Sequence, residues 1–521
     1  MTKRQRDTNL MTTGFLKATD MHGSSLTPNL REVFVQAPTI DRLDGDLPTQ
    51  DVAVLRLLIA IVLAALADES ADMSDSIELW RECWNDWERC LPAILRYLDE
   101  HADEFDLAHP QRPFMQSADL NPAGNLEPGV QRLVPDHDQW FTTRDPSRPL
   151  DIGEAARWLL HVQSFDTAGI KTGQQGDPAV KGGRGYPTGY PAWAGNLGVV
   201  IFHGATLAQT ILLNTPLGHF PAEKRTGWQI DTPVSSRKDQ IPAGPAELFT
   251  WPNRRVRLHW GPDFLVRSAQ VSYGDTLTPQ NNNAIEPMSA WRSSENQKRK
   301  AGKDVLMPVV HDPTRQVWRG LNALLADSAG RPRTAAWLST LVDEGILDAN
   351  LRLRLQVVGM IYGPQNSSIQ TVVDDTLDGS VAALTNPRLT HLAAAAAELA
   401  REGSNATRYF ASRLAQATGA DEEKSRDRAA VSAYAAIDPV FRQWLAELTM
   451  DSIDRATVDW QVRIRRCLLD HGQTMFEAAG DAGLRGRVIE EQLVTSLSAW
   501  SWFVHRIQQL TPLAQPTAAK E

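Results

Sequence analysis

The sequence predicts an α+β protein: a large, irregular, mixed N-terminal domain of short strands and long loops, followed by a C-terminal four-helix bundle. Three observations predict it. Residues 105–305 are dense in Gly, Pro and Asn, and their apolar runs are short, such as VVIF (199–202) and VRLHW (256–260). That is the pattern of brief strands joined by long connections. From Pro387 onward the chain turns Ala-rich with helical periodicity. The change of composition is sharp, at Asn386-Pro387. A chain of 521 residues is also too long for one core, so roughly two to four are expected.

Taken in order, residues 1–12 are polar and expected to form a disordered tail, and the N-terminal domain then runs over 13–380. A short amphipathic segment (30–35) precedes GDLPTQ (45–50), and Gln50-Asp51 open an apolar helix. Its longest apolar run, 57–67, has 11 residues. A membrane span needs about 20, so a buried helix is expected. A second helix is predicted around 77–101, with Trp80, Trp84, Trp87, Leu91, Ile94 and Leu95 as its inward stripe. In the bundle, 385–512, four segments are predicted near 388–417, 424–449, 451–478 and 484–510. Asp438-Pro439 is expected to interrupt the second, and GDAG (480–483) to separate the third from the fourth. Residues 513–521 are expected to be a tail.

Hydrophobic residues make up 42% and charged residues 22%, the composition of a soluble globular protein. Sixteen Trp against seven Tyr suit cores, interfaces and stacking surfaces. Cys83, Cys90 and Cys467 include no pair two to four residues apart, which supports neither a zinc site nor a disulfide framework and suits a reducing cytoplasm. Lys3, Arg4 and Arg6 are followed by polar residues and no apolar run, so no signal peptide is read. The net charge is −10, yet residues 161–320 hold 18 Lys and Arg against 12 Asp and Glu, a local +6 that leaves −16 elsewhere. A basic middle in an acidic protein is what a local anionic partner needs.

Motifs for catalysis are missing. There is no GxSxG elbow, P-loop, HExxH or CxxC pair. Asp374-Asp375 reads as a solvated loop, and His203 and His391 as structural histidines. No catalytic residue, metal or cofactor is expected. Binding features are more visible. AGIKTGQQGDPAVKGGRGYPTGY (168–190) combines glycines with Lys171, Lys181 and Arg184, and backbone amides plus cations suit phosphate contacts. RSSENQKRKAGK (292–303) adds Arg292, Lys298, Arg299, Lys300 and Lys303. RRVRLHW (254–260) alternates like a half-exposed strand. YGPQNSSIQ (362–370) is a polar turn whose side chains hydrogen-bond without carrying charge.

Several segments together resemble the CasA family, the large subunit of type I-E CRISPR surveillance complexes. They are LREVF (30–34), GDLPTQDVAVLRLLIAIV (45–62), HPQRPFMQ (109–116), WAGNLGVVIFHGATLAQTILLNTP (193–216), LFTWPNRRVRLHW (248–260), RQVWRGLNALL (315–325) and IYGPQNSSIQ (361–370). The resemblance implies a cytoplasmic, non-enzymatic Cascade subunit near the 5′ end of the guide RNA. Its partners would be the other subunits, that RNA end, target double-stranded DNA and a separate helicase–nuclease, with no membrane. Guide pairing would read the sequence, while this subunit reads a short flanking motif from the minor groove and opens the duplex. Carried over by position, the groove-reading loop falls on Gly169, Lys171, Thr172, Gly173 and Gly176, and the wedge on Gln365 or Asn366. A guide-RNA or subunit contact falls on Trp140, Phe141 and Thr142. Where some relatives place a minor-groove lysine, 273–287 has none, so Asn281–Asn283, Arg292 or Lys298 would replace it. A scaffold that does not read DNA, or a nuclease, are the alternatives.

Overall fold

The computed structural model describes residues 7–512 except 70–71, 125–128, 136–144, 146–147, 187–188, 219, 221–224, 231–240, 276 and 326–329. It divides into two compact units. The first comprises Met1–Thr314, Ser328–Ile346 and Leu353–Thr376; the second comprises Arg315–Asp327, Leu347–Arg352 and Leu377–Glu521. The sequence placed the division at 380–385 in a single cut. The chain instead passes between the units several times, because short segments before 353 find their apolar partners in the helical unit.

The first unit is built around the helix Pro48–Leu66, which is apolar on nearly every face and buried. Among the described residues it is the one helix long and apolar enough to cross a membrane, and 89% of that stretch lies inside the protein. Its one cation, Arg56, is buried at 1% exposure and makes a bidentate pair with Glu286 (3.1 and 2.8 Å). Trp193 Nε1 and the Met288 amide also donate to that carboxylate, at 2.7 and 3.0 Å. The helix Ile152–Phe165 packs beside it, started by an Asp151/Glu154 capping box. A three-stranded sheet has the order Ile369–Ser380, Arg352–Tyr362, Gly198–His203. A separate hairpin pairs Arg254–Trp260 with Val266–Tyr273. Gln163 joins helix to hairpin by accepting from the Arg254 amide (2.9 Å) and donating to the Arg254 carbonyl (3.0 Å).

Residues 7–12 are not a loose tail: Leu10 is fully buried, and its amide donates to the Phe105 carbonyl at 3.0 Å. The helix expected over 77–101 is broken into Met73–Asn85, a turn at Trp87–Arg89 and Leu91–Glu100. Asp86 takes an extended backbone, its carboxylate accepts from the Glu88 amide (3.1 Å), and Pro92 restarts the helix. The break lets Trp80 and Trp87 point to different places: Trp80 Nε1 donates to the Leu212 carbonyl and Trp87 Nε1 to the Phe34 carbonyl.

The second unit contains the four predicted long helices, Pro387–Thr418, Glu422–Glu447, Ile453–Ala478 and Ser496–Leu510. Phe410, Phe441, Trp444, Trp460 and Phe503 fill its core. Two expectations fail here. Pro439 does not interrupt the second helix. Its missing amide would cost about 3 kcal/mol in isolation, but Trp318 stacks on Phe441 (4.4 Å) and donates to Asp438 (2.7 Å), which holds the residues around the proline in place. The fourth helix does not begin at 484. Gly486 (φ +67°) ends a short helix, Gly480–Arg485, and a hairpin of Arg487–Ile489 with Gln492–Val494 intervenes before Thr495 caps Ser496–Leu510.

Candidate nucleic-acid interface

The glycine-rich segment starts where the helix Ile152–Phe165 ends, and a buried charge cluster fixes its base. Asp166 accepts from Lys171 Nζ at 2.7 Å and from Arg254 Nε at 2.5 Å. Arg254 also donates to the carbonyls of Asp166 (3.2 Å) and Thr167 (3.0 Å). Burial pushes the Asp166 carboxyl up, but Lys171 and Arg254 outweigh it and hold the group below its ordinary value. Burial lowers the Lys171 ammonium against the pull of Asp166. Tyr273 Oη donates to the carbonyls of Ala168 and Gly169, at 2.7 and 2.8 Å.

These contacts correct part of the sequence reading. Lys171 is turned inward, its side chain 9% exposed, and does not face solvent. Thr172 is buried and its carbonyl accepts from Ser272 Oγ at 2.7 Å. Gly173 is buried with both backbone groups used: its amide donates to the Gly183 carbonyl and its carbonyl accepts from the Ala123 amide. A Cβ there would lie 2.6 Å from Val180 and 2.7 Å from the Gly183 carbonyl oxygen, so glycine is required by close approach. Gly169 and Ile170 remain at the surface near the base, and Gly176 at an exposed turn.

Farther along, Lys171–Thr172 pair with Arg184–Gly185 to make a hairpin. Its tip is Lys181-Gly182-Gly183-Arg184, with reciprocal 3.1 Å hydrogen bonds between the outer two residues and φ of +57° and +74° at the glycines. Two consecutive positive φ angles define the tight turn that suits a twisted hairpin. Lys181 and Arg184, exposed on its shoulders, have no ion-pair partner among the described residues.

The polar turn at Gly363–Ser368 joins the strands Arg352–Tyr362 and Ile369–Ser380. Gly363 and Ser368 close it with a 2.9 Å amide-to-carbonyl bond. Gln365 and Asn366 both have positive φ, +57° and +54°, which costs a non-glycine residue about 1–3 kcal/mol. The turn sits against the glycine segment. The Ala168 amide donates to the Asn366 carbonyl at 2.7 Å, and a Cβ on Gly169 would lie 2.9 Å from the Ser367 carbonyl oxygen. Asn366 Nδ2 donates to the Gly189 carbonyl at 3.2 Å. The two amide candidates therefore differ: Asn366 ties the turn to the loop, whereas Gln365 is exposed with its side chain unbonded among the described residues. Between loop and turn lies a cleft of about 550 Å³.

The model of the CRISPR-associated protein Cse1 family matches residues 9–471. The chain belongs to this family. The solved Thermobifida fusca Cse1 shares 36% identity and a TM-score of 0.89, over 97% of this chain and 98% of that one. A curated CRISPR-associated protein CasA/Cse1 from Thermus thermophilus is 26% identical over 360 residues, 65% of this chain and 65% of that relative's own length. A chain of a solved CRISPR RNA-guided surveillance complex has the same fold at 17% identity, with a TM-score of 0.64 over 96% of this chain and 98% of its own.

The remaining sequence-derived sites divide similarly. Asn281 is tied to the strand Leu306–Pro308, which pairs with Trp291–Ser293: its Oδ1 accepts from the Leu306 amide (2.9 Å) and its amide donates to the Leu306 carbonyl (3.0 Å). Asn282 Nδ2 donates to the Thr278 carbonyl at 2.7 Å. Lys298 is paired with Asp304 at 2.7 Å. Arg292, on the strand Trp291–Ser293, and Arg299, Lys300 and Lys303, around the exposed helix Glu295–Ala301, have no ion-pair partner among the described residues. Of the residues expected to replace that lysine, Arg292 is thus the exposed cation with no ion-pair partner among the described residues of this Cse1-family chain. Trp140, Phe141 and Thr142 lie outside the described residues. Sequence reasoning missed Asp166, Arg254 and Tyr273. RRVRLHW reads as half-exposed, but Arg254 and Arg255 are each 1% exposed and paired with Asp166 and Asp275. Those partners lie 88 and 20 residues away in sequence, beyond any local pattern.

Proposed function

We propose that this chain is the large subunit of a CRISPR RNA-guided surveillance complex in the cytoplasm, where it reads a short motif flanking the target from the minor groove and starts strand separation. The observation that carries this reading is the joining of the glycine segment to the Gly363–Ser368 turn through Ala168, Gly169, Asn366 and Ser367. A reader and a wedge must keep fixed register, and hydrogen-bonding one to the other supplies it. Lys181, Arg184, Arg292, Arg299, Lys300 and Lys303 hold the phosphates, and the degenerate minor-groove pattern permits several motifs. The other subunits and the 5′ end of the guide RNA are its assembly partners. A separate helicase–nuclease cuts, and this chain carries no catalytic step.

The wedge role falls to Gln365. An amide meets base edges as they unpair and brings no charge to desolvate. Unstacking one step costs a few kcal/mol, so Q365A in the assembled complex weakens binding to fully paired targets by roughly ten- to a hundredfold. Targets already mismatched beside the motif bind nearly as before. Equal losses on both, measured by gel shift, would favour a scaffold that holds subunits without opening DNA. N366A is expected to lower thermal stability of the turn as well, because that side chain bonds to Gly189.

A further inference from the structure

We propose that Ile170 is a second, apolar wedge that enters the base step beside the motif while Gln365 meets the unpaired edges. The inference rests on the reading of this face as a duplex-opening interface and adds a residue that the glycine-loop pattern does not single out. Ile170 is 49% exposed. Among the described residues it is the one strongly exposed large apolar side chain that borders the cleft between loop and turn, and Gln365 borders the same cleft.

Isolated apolar side chains at a surface are common and usually carry no message. What distinguishes this one is its mounting. On one side, the Ala168 amide is bonded to Asn366 and the Gly169 carbonyl to Tyr273 Oη. On the other, Lys171 is held by Asp166 through its side chain and by Gly185 through strand pairing. The residue between these anchors cannot swing away. A β-branched side chain is also stiff about χ1, so little rotamer entropy is lost when it is gripped. Proteins that bend the minor groove insert aliphatic side chains of this kind between base steps and unstack them. The division of labour is chemical. The aliphatic prong loses nothing by leaving water, whereas the amide prong satisfies the base edges that the first one frees.

The test uses the assembled complex and duplexes carrying 2-aminopurine at the first pair beside the motif, whose fluorescence rises on unstacking. Wild type and I170V, which keeps a branched apolar group, should give the full rise. I170S should lose most of it and weaken binding to the paired duplex about tenfold, or about 1.4 kcal/mol, while binding to a duplex mismatched at that pair changes by less than about twofold. If I170S matches wild type on both duplexes while Q365A does not, Ile170 is no wedge and the reading of the interface stands. Equal I170S losses on both duplexes, with a lower melting temperature of the free subunit, would make Ile170 a packing residue and overturn the proposal. If the wild-type complex gives no rise at all, the duplex-opening reading itself falls.

Discussion

Asp51 shows how far a single side chain can depart from its expected chemistry. It stands in the first turn of the buried helix Pro48–Leu66, and its carboxylate accepts from the Gly45 amide at 2.8 Å. Burial, and then the negative charges of Asp44, Asp46 and Asp374, push its pKa up to about 7, against that hydrogen bond. A folded-state value above the unfolded one means that the protonated group is favoured by folding. Its contribution is fully present below pH about 4 and is lost as pH rises through about 7. D51N cannot ionise. It should therefore match wild type near pH 4 and melt at a higher temperature at pH 8, and equal melting at both pH values would refute the assignment. His161 works in the opposite sense. Burial lowers it to about 3, so its neutral form, hydrogen-bonded to Thr49 Oγ1 at 3.0 Å, supports the fold above pH about 6.5 and weakens it as pH falls toward 3. Lys171 belongs at this scale too. A lysine in a glycine-rich loop reads as a phosphate contact, and only the presence of Asp166 beside it turns the charge inward.

Between elements, close approach decides what substitutions do. Gly472 lies within the helix Ile453–Ala478, where an alanine normally favours helix by about 1 kcal/mol. A Cβ there would stand 2.3 Å from the Phe503 ring and 3.1 Å from Trp500, both on the helix Ser496–Leu510. Overpacking of this kind costs about 1–3 kcal/mol, and a core ring has little room to yield. G472A is thus expected to be destabilising on balance, by roughly 1–2 kcal/mol in chemical denaturation. A stabilised variant would show that the two helices can separate at no cost. The same scale explains Pro439. Sequence logic ends a helix there, yet the packing of Trp318 on Phe441 and its bond to Asp438 keep the helix continuous.

For the molecule as a whole, charge is a matter of place. The net charge of −10 would repel nucleic acid, so on the proposed reading binding is local to Lys181, Arg184, Arg292, Arg299, Lys300 and Lys303, which have no ion-pair partner among the described residues. Each phosphate contact contributes about 0.9 to the salt slope of DNA binding. Replacing Lys181 and Arg184 together by Gln should lower the slope by about 2, and replacing Lys298, already paired with Asp304, should lower it little. An unchanged slope after the double replacement would remove that hairpin from the interface. By itself the sequence determined the fold class, the buried first helix, the four long helices of the second unit and the positions of the loop and turn. All of these follow from local periodicity, apolar run length and turn residues, which act over a few residues. Only the tertiary structure decided that Lys171 faces inward, that Arg254 is buried, that Asn366 is a tie while the exposed Gln365 side chain has no bond among the described residues, and which segments before 353 belong to the helical unit. The partners of Arg254 and Asn366 lie 88 and 177 residues away, and although Asp166 is only five residues from Lys171, it is the burial of that pair beside Arg254 that turns the lysine inward, so a charge or an amide takes its role from what folding brings beside it.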